Sequence, residues 1–322
     1  TSCSLGGEGH PQRGRGPPLA MVRAKRLSDG TPTELLSTGV WVDAEAPTPE
    51  ELAGLKERYP LNPLALEDAR EKGHWSRFEA YPEHLFLILR TLESPRRFQS
   101  RTERISYFYF PQRHVLLTYR NEPVNYLEKI WETFQGGTGL SLWQHLLEQG
   151  VETFFAYTDA LAHRIEALEE LALNEVQSPE VPRRIFSARR EVLRVRRLAS
   201  QAREALLHLE RLPLLGEEAY RFRDLTDRIG RVYEGLDAAR EELSNVLEVH
   251  LSAQGNRLNR VVQALTVISV LFLPMSLWAG IYGTNFDTFT EYHWPLGRVY
   301  FWGGLALIGG SLAWWMRRRG WW

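Results

Sequence analysis

Asn259, Val262, Leu265, Ser269, Leu273 and Ser276 follow one another at spacings of 3, 3, 4, 4 and 3, which places them on one face of a helix. The face alternates neutral polar groups with apolar ones and carries no acid, base or thiol. Its chemistry is that of a packing or water-facing surface, not of bond breaking. It lies in a segment with no formal charge from Val261 to Tyr282. At about 1.5 Å per residue this segment makes roughly 33 Å of helix, enough to cross a bilayer. Polar groups in hydrocarbon are costly without partners, so a shared interface or a water-filled axis is expected for the stripe. Hydroxyls of Ser269 and Ser276 bonded back to their own helix carbonyls are the alternative.

Other residues whose types suggest chemistry do not converge. Glu67 and Asp68 are adjacent carboxylates, but neighbouring helix residues point about 100° apart, so structural or solvated roles are expected. His74, His84 and His114 have no metal-ligand spacing. Eight arginines lie between Arg183 and Arg203 against Glu191 alone, but Ile185, Leu193 and Leu198 interrupt them at near-helical intervals, as on the solvated face of a packed helix. No nucleophile, base and orienter combination is visible and no cofactor motif, so an enzyme is not expected. No nucleic-acid motif is present either.

These residues need elements to position them. Tyr282-Gly283-Thr284-Asn285-Phe286 ends the first apolar run, and a second, Val299 to Met316, begins 12 residues later. Two spans of this kind form a hairpin. Arg257 and Arg260 precede the first span and Arg317, Arg318 and Arg319 follow the second, while the connecting loop offers only Arg298. Both termini are therefore expected on the cytoplasmic side. Asp287 and Glu291 lie in the outer loop, where several subunits around one axis would repeat them as acidic rings.

The rest of the chain supplies about 250 residues before the membrane, enough for a domain with its own core. Residues 1–20 are rich in Gly, Pro and Arg and read as a disordered leader, with Met21 a candidate natural start. The only cysteine, Cys3, falls in this leader, which suits a reducing compartment. Residues 21–120 read as an α/β domain. Val22–Leu27 and Val40–Asp43 are short strands, Thr48 to Glu51 is a capping box, Leu85–Leu89 is a strand covered on both faces, and Ile105–Phe110 pairs with Val115–Tyr119 as a hairpin. Residues 121–216 are helical: Val124–Phe134, a Gly-rich break, a long helix from Ser141 to about Leu173, and another opened by Ser178 and Pro179. From Glu217 to Leu273 there is no proline, and one long helix continues as a stalk to residue 260 and then as the first span, 261–282; the outer loop is 283–298, the second span 299–316 and the basic tail 317–322. Leu225, Ile229, Val232, Leu236, Ala239, Leu243 and Val246 keep a strict 4-3 alternation, the period of helices wound around partners, from this chain or from another subunit.

The stretch from Ala279 to Phe286, AGIYGTNF, together with Leu273-Pro274 and the terminal Arg317-Arg318-Arg319, resembles the CorA family of divalent-cation channels. Leu61 to Asp68 and the Tyr81…Leu85-Phe86…Leu89-Arg90 pattern are similar to the cytosolic domain of that family, so the resemblance covers nearly everything after Met21. Thr284 departs from the family's usual Met. The resemblance implies a homopentameric funnel in the inner membrane that conducts Mg²⁺, with Co²⁺ or Ni²⁺ as further substrates. It also implies a selectivity filter at Gly283, Thr284 and Asn285, and a pore lined by the stripe and narrowed at Val262, Leu265 and Leu273. Asp224 and Asp227 match its acidic stalk positions for a regulatory metal, with Glu93 as a weaker partner. A zinc transporter of the same superfamily, and a membrane-tethered sensor or scaffold, are the competing readings.

Overall fold

The computed structural model describes residues 21–71, 73–97, 101–283 and 295–321. The leader and the residues Thr284, Asn285, Asp287 and Glu291 lie outside them. The chain forms two compact units: one contains everything through Glu169 together with Pro182–Asn245, the other contains Glu170–Val181 and Val246–Trp322.

The first unit is built on a seven-stranded sheet. In chain order the strands are β1 (Met21–Arg26), β2 (Pro32–Thr33), β3 (Val40–Glu45), β4 (Arg77–Ala80), β5 (Leu85–Leu92), β6 (Thr102–Phe110) and β7 (Val115–Arg120). Across the sheet they run β2-β1-β3-β7-β6-β5-β4. Among the described strands only β3 and β7 pair in parallel; the remaining pairings are antiparallel. Central strands buried on both faces must be apolar on both, and β5 is, with Leu85, Phe86, Leu87, Ile88 and Leu89 all buried. The β6–β7 hairpin turns through a short 3₁₀ segment, Pro111–Arg113, and His114 at φ 49°.

Helices cover both faces. Val42, Phe86, Ile88, Phe108, Phe110 and Leu117 pack in one cluster with Leu52, Leu55 and Leu66, from α1 (Pro49–Arg58) and α2 (Pro63–Arg70). The α1 capping box is present: Glu51 N–H donates to Thr48 Oγ1 at 3.2 Å and Thr48 N–H to Glu51 Oε2 at 2.8 Å. On the opposite face Trp41 lies 4.6 Å edge-on to Trp131 and Tyr109 lies 5.3 Å from Trp143. These partners belong to α3 (Asn125–Thr133) and α4 (Gly139–Asn174). α4 starts earlier than the apolar pattern suggests because Thr138 caps it, its Oγ1 accepting from Ser141 N–H at 3.0 Å.

The parallel pair carries a buried ionic knot. Arg120 and Asp43 are both 0% exposed at the side chain. The guanidinium donates to Asp43 from Nε at 3.3 Å and Nη2 at 2.9 Å, and it also meets Glu45 at 2.9 Å and Glu128. Thr118 Oγ1 donates to Asp43 at 2.8 Å and itself accepts from Trp41 Nε1 at 3.2 Å. Arg23 completes the set at 3.1 Å from Asp43. The knot joins β1, β3, β7 and α3 through charges that each need the others.

Two further helices, α5 (Glu180–Glu210) and α6 (Ala219–Tyr282), follow. The heptad residues of α6 from Leu225 to Leu243 are buried within this one chain. Their surroundings are α4 and α5: Phe222 lies 6.2 Å from Trp143, Arg228 pairs with Glu148 at 3.0 Å and Glu152 at 2.6 Å, and Arg196 pairs with Asp237 at 2.7 Å. The periodicity left the partner of this seam open, and the partner is intramolecular.

Removing one member of a fully buried ion pair leaves the other unpaired, which costs about 3–5 kcal/mol. Asp43→Ala is therefore expected to lower unfolding stability on that scale, read by tryptophan fluorescence in a denaturant series on the full chain. Asp29→Ala, which removes an exposed partner of Arg26, should leave the same midpoint nearly unchanged.

Candidate functional site

The uncharged segment of α6 is helical through Tyr282 and includes Pro274. Proline has no N–H, so the Val270 carbonyl loses its helical donor at this point. The last helix, α7 (Gly297–Arg318), lies against this segment. Trp278 Nε1 donates to Phe301 O at 3.2 Å, and Gln263 Nε2 donates to Trp321 O at 2.8 Å. The contacts run in opposite senses along the two helices, which makes them antiparallel. Trp278 also fills the space a side chain would take at Gly304, where an added Cβ would come within 2.5 Å of Cζ2. Met275 Sδ would lie 3.4 Å from a Cβ at Gly309, and Tyr282 meets Phe301 at 5.4 Å.

Gln263, Met275, Trp278 and Tyr282 thus form the seam toward α7. On a wheel of about 100° per residue, the six stripe residues are centred roughly half a turn from that seam. All six are exposed in this chain; the apolar ones among them are Val262 at 52%, Leu265 at 64% and Leu273 at 76%. Ser269 Oγ donates to Leu265 O at 2.9 Å, so its proton is spent inside the helix while its oxygen still has lone-pair capacity facing outward. Thr266 does the same to Val262 O at 2.8 Å. By length and composition both helices can cross a membrane, and in neither apolar stretch is more than a small share buried.

Gly283 stands just past the end of α6, its N–H donating to Ala279 O at 3.0 Å and Gly280 O at 3.2 Å. Asp224 and Asp227 are exposed on α6, flanking the buried Leu225 and Thr226. Glu93 is exposed beyond the end of β5. Its neighbour is Glu103, whose carboxyl is pushed up to about 7 by burial and, second, by the Glu93 charge. Among the described residues no group of three or more His, Cys, Asp or Glu side chains is arranged to hold a metal. Asp224, Asp227 and Glu93 do not make a complete cage within one chain.

The remaining sequence candidates have structural surroundings. Asp68 is paired with Arg77 and lies 3.2 Å from His74. His84 is buried, stacked 5.1 Å from Tyr81, and burial lowers its pKa to about 4. In the arginine run, Arg194 pairs with Glu191 at 2.5 Å and Arg197 lies 4.6 Å over Trp75. The Trp278 seam escapes sequence reasoning, because Gly304 and Gly309 are five residues apart and do not show the four-residue spacing of a small-residue packing face.

Residues 37–318 match the family model described as CorA-like Mg2+ transporter protein. The Cobalt/magnesium transport protein CorA of Thermotoga maritima is 25% identical over 75% of this chain and 71% of its own length. The Zinc transport protein ZntB of Photorhabdus laumondii is 26% identical over 64% of this chain and 65% of its own. Among solved structures, that of the CorA magnesium transporter from Methanocaldococcus jannaschii superposes with a TM-score of 0.76 at 22% identity, covering 94% of this chain and 98% of that one. That likeness carries the fold.

Overpacking a closed contact costs about 1–3 kcal/mol. Gly304→Ala is expected to lower the melting temperature of the full chain in detergent and to change the emission of Trp278, with the other tryptophans as background. Gly310→Ala, where an added Cβ meets nothing within 4 Å, should leave both unchanged.

Proposed function

We propose that this chain, which belongs to the CorA-like Mg2+ transporter family, conducts hydrated Mg²⁺ down its electrochemical gradient along the stripe of α6, with Co²⁺ or Ni²⁺ as further substrates. The family is one of divalent metal cation transporters, not of enzymes. The observation that carries the finer reading is the stripe itself: a face of neutral oxygens and apolar side chains that α7 leaves uncovered. A polar face in a bilayer requires a covering partner or water. A ring of copies of this chain provides both, and five copies is the number the resemblance implies. α6 and α7 then form a transmembrane hairpin in the inner membrane. The basic flanks at Arg257, Arg260 and Arg317 to Arg319 put both termini on the cytoplasmic side.

In that ring Asn259, Ser269 and Ser276 face water, while Val262, Leu265 and Leu273 are constrictions that close by dewetting. Mg²⁺ gives up its waters reluctantly and prefers oxygen partners. Gly283, Thr284 and Asn285 form the filter, where Asn285 amide oxygens accept hydrogen bonds from the ion's own waters. Asp287 and Glu291 raise the cation concentration at the mouth. No resident cofactor is called for; the cation is the cargo. Asp224 and Asp227, exposed on α6, are the regulatory acids, binding Mg²⁺ across a subunit boundary and holding the closed state when cytosolic Mg²⁺ is ample. Glu93 is the weaker partner for them. Zn²⁺ as cargo is the second reading, favoured by the likeness to ZntB and by Thr284 in place of Met.

Single cysteines introduced at Ser269 and Ser276, with Cys3 removed, should react with a water-soluble thiol reagent in the conducting protein, and cysteines at Met275 should not. Preferential labelling at Met275 would assign the wrong face. In liposomes, Asn285→Ala should abolish selective Mg²⁺ flux, and an exchange-inert hexa-ammine cation should compete with Mg²⁺. Strong block by Zn²⁺ with no competition from the inert cation would favour the zinc reading. Asp224→Ala combined with Asp227→Ala should remove inhibition by internal Mg²⁺ while conduction persists; unchanged inhibition would exclude these acids as the sensor.

A further inference from the structure

His250 is 0% exposed, yet it belongs to none of the functions above. It lies on α6 against the turn between α4 and α5, a few helical turns ahead of the uncharged segment. Its Nδ1 is 3.1 Å from Ala172 O, and its Nε2 is 3.2 Å from Gln254 Nε2. Gln254 Nε2 also donates to Val176 O at 2.9 Å. One turn further, Gln177, with its amide oxygen directed at Arg257, accepts from that guanidinium at 3.2 Å.

This arrangement fixes the protonation state by donor and acceptor count. A carbonyl only accepts, so Nδ1 carries a hydrogen for Ala172 O. Gln254 already spends one N–H on Val176 O and offers the other to Nε2, which must therefore be the unprotonated nitrogen. The neutral imidazole in one tautomer satisfies every group. A second proton on Nε2 sets donor against donor. Turning the Gln254 amide to accept it would instead face its oxygen toward Val176 O. Either way a buried polar group loses its partner, which is strongly unfavourable. The charged side chains on these segments are Glu169, Glu170, Glu175, Glu180, Glu248 and Arg257, and all of them are exposed; none is hydrogen-bonded or ion-paired to the imidazole among the described contacts.

We propose that His250 and Gln254 form a protonation-sensitive latch that fastens the α4–α5 turn to α6 beside its apolar segment, closed when His250 is neutral and released when it is protonated. Its effect on ion flow rests on the conduction reading above; the latch itself does not. Both residues are positioning residues, acting through the set of α6 and touching no ion. Acidification releases the turn because a second proton on Nε2 costs the closed form the Gln254 contact.

The test is hydrogen exchange of the full chain, following the peptide across residues 172–178 with correction for intrinsic exchange. Between about pH 8 and about pH 5.5 its protection should fall about tenfold or more, the scale set by one unpaired buried group. His250→Asn keeps a donor for Ala172 O and cannot be charged, so its protection should not change with pH. Gln254→Glu offers a carboxylate to the imidazolium and should invert the dependence, with the turn tighter in acid. Equal protection of the unmodified protein at both pH values, or a persisting pH step in His250→Asn, would overturn the latch. Mg²⁺ flux in liposomes should show the same step in the unmodified protein and none in His250→Asn; a flux step surviving in His250→Asn would overturn the coupling. Absence of any flux with the exchange step intact would count against the conduction reading and not against the latch.

Discussion

Hydrocarbon takes up apolar side chains readily but gives a polar one no partner, and α6 meets this constraint differently on its two sides. Toward α7 the contacts are closed. Trp278 occupies the space left by Gly304 and finds a carbonyl for its indole N–H, so its one polar atom is satisfied inside the pair. On the other side Ser269 returns its proton to the helix and still leaves an oxygen facing out. One chain can complete the first side and not the second. In the proposed ring, oligomerisation, water along an axis and ion passage would be linked consequences of that incompleteness.

The α/β unit obeys the same rule at a different site. Asp43 and Arg120 are fully enclosed, and their charges are tolerated because Thr118, Arg23, Glu45 and Glu128 use most of the available donors and acceptors. Desolvation takes back much of what such a pair gains. What it adds is geometric: β3 and β7 are the one parallel pair in the sheet, and a slip of one residue would turn Asp43 to the α1 face, away from every partner.

Much of this was legible in the sequence where a signal is local. The Thr48 to Glu51 box, the apolar run of β5 and the β6–β7 hairpin all depend on neighbours a few residues away. The heptad of α6 was legible as a buried seam, but periodicity records a face and not what covers it, so α4 and α5 could not be named as its partners. The two-residue β2 and the four-residue β4 are too short to show alternation. α2 begins at Pro63 after Asn62, a cap that the resemblance covered without identifying it as a helix start. The ionic knot joins residues 77 apart, and His250 meets a carbonyl 78 residues away. Neither has a spacing to detect. The stripe was visible because one helix carries all of it, whereas the roles of Gly283, Thr284 and Asn285 rested on likeness to a family.

The continuity of α6 also bears on which length changes the chain can accept. It runs unbroken from Ala219 to Tyr282, and within the second unit the His250 contacts, the seam and the stripe share one helical phase. Inserting or deleting a single residue between Arg257 and Asn259 would turn the seam and the stripe by about 100° relative to the His250 contacts, while seven residues leave an error of about 20° and eighteen nearly none. Substitutions in this segment are judged one site at a time. Changes in its length are judged by their remainder on the helical wheel, so relatives of this chain that differ here should differ by whole multiples of the helical repeat.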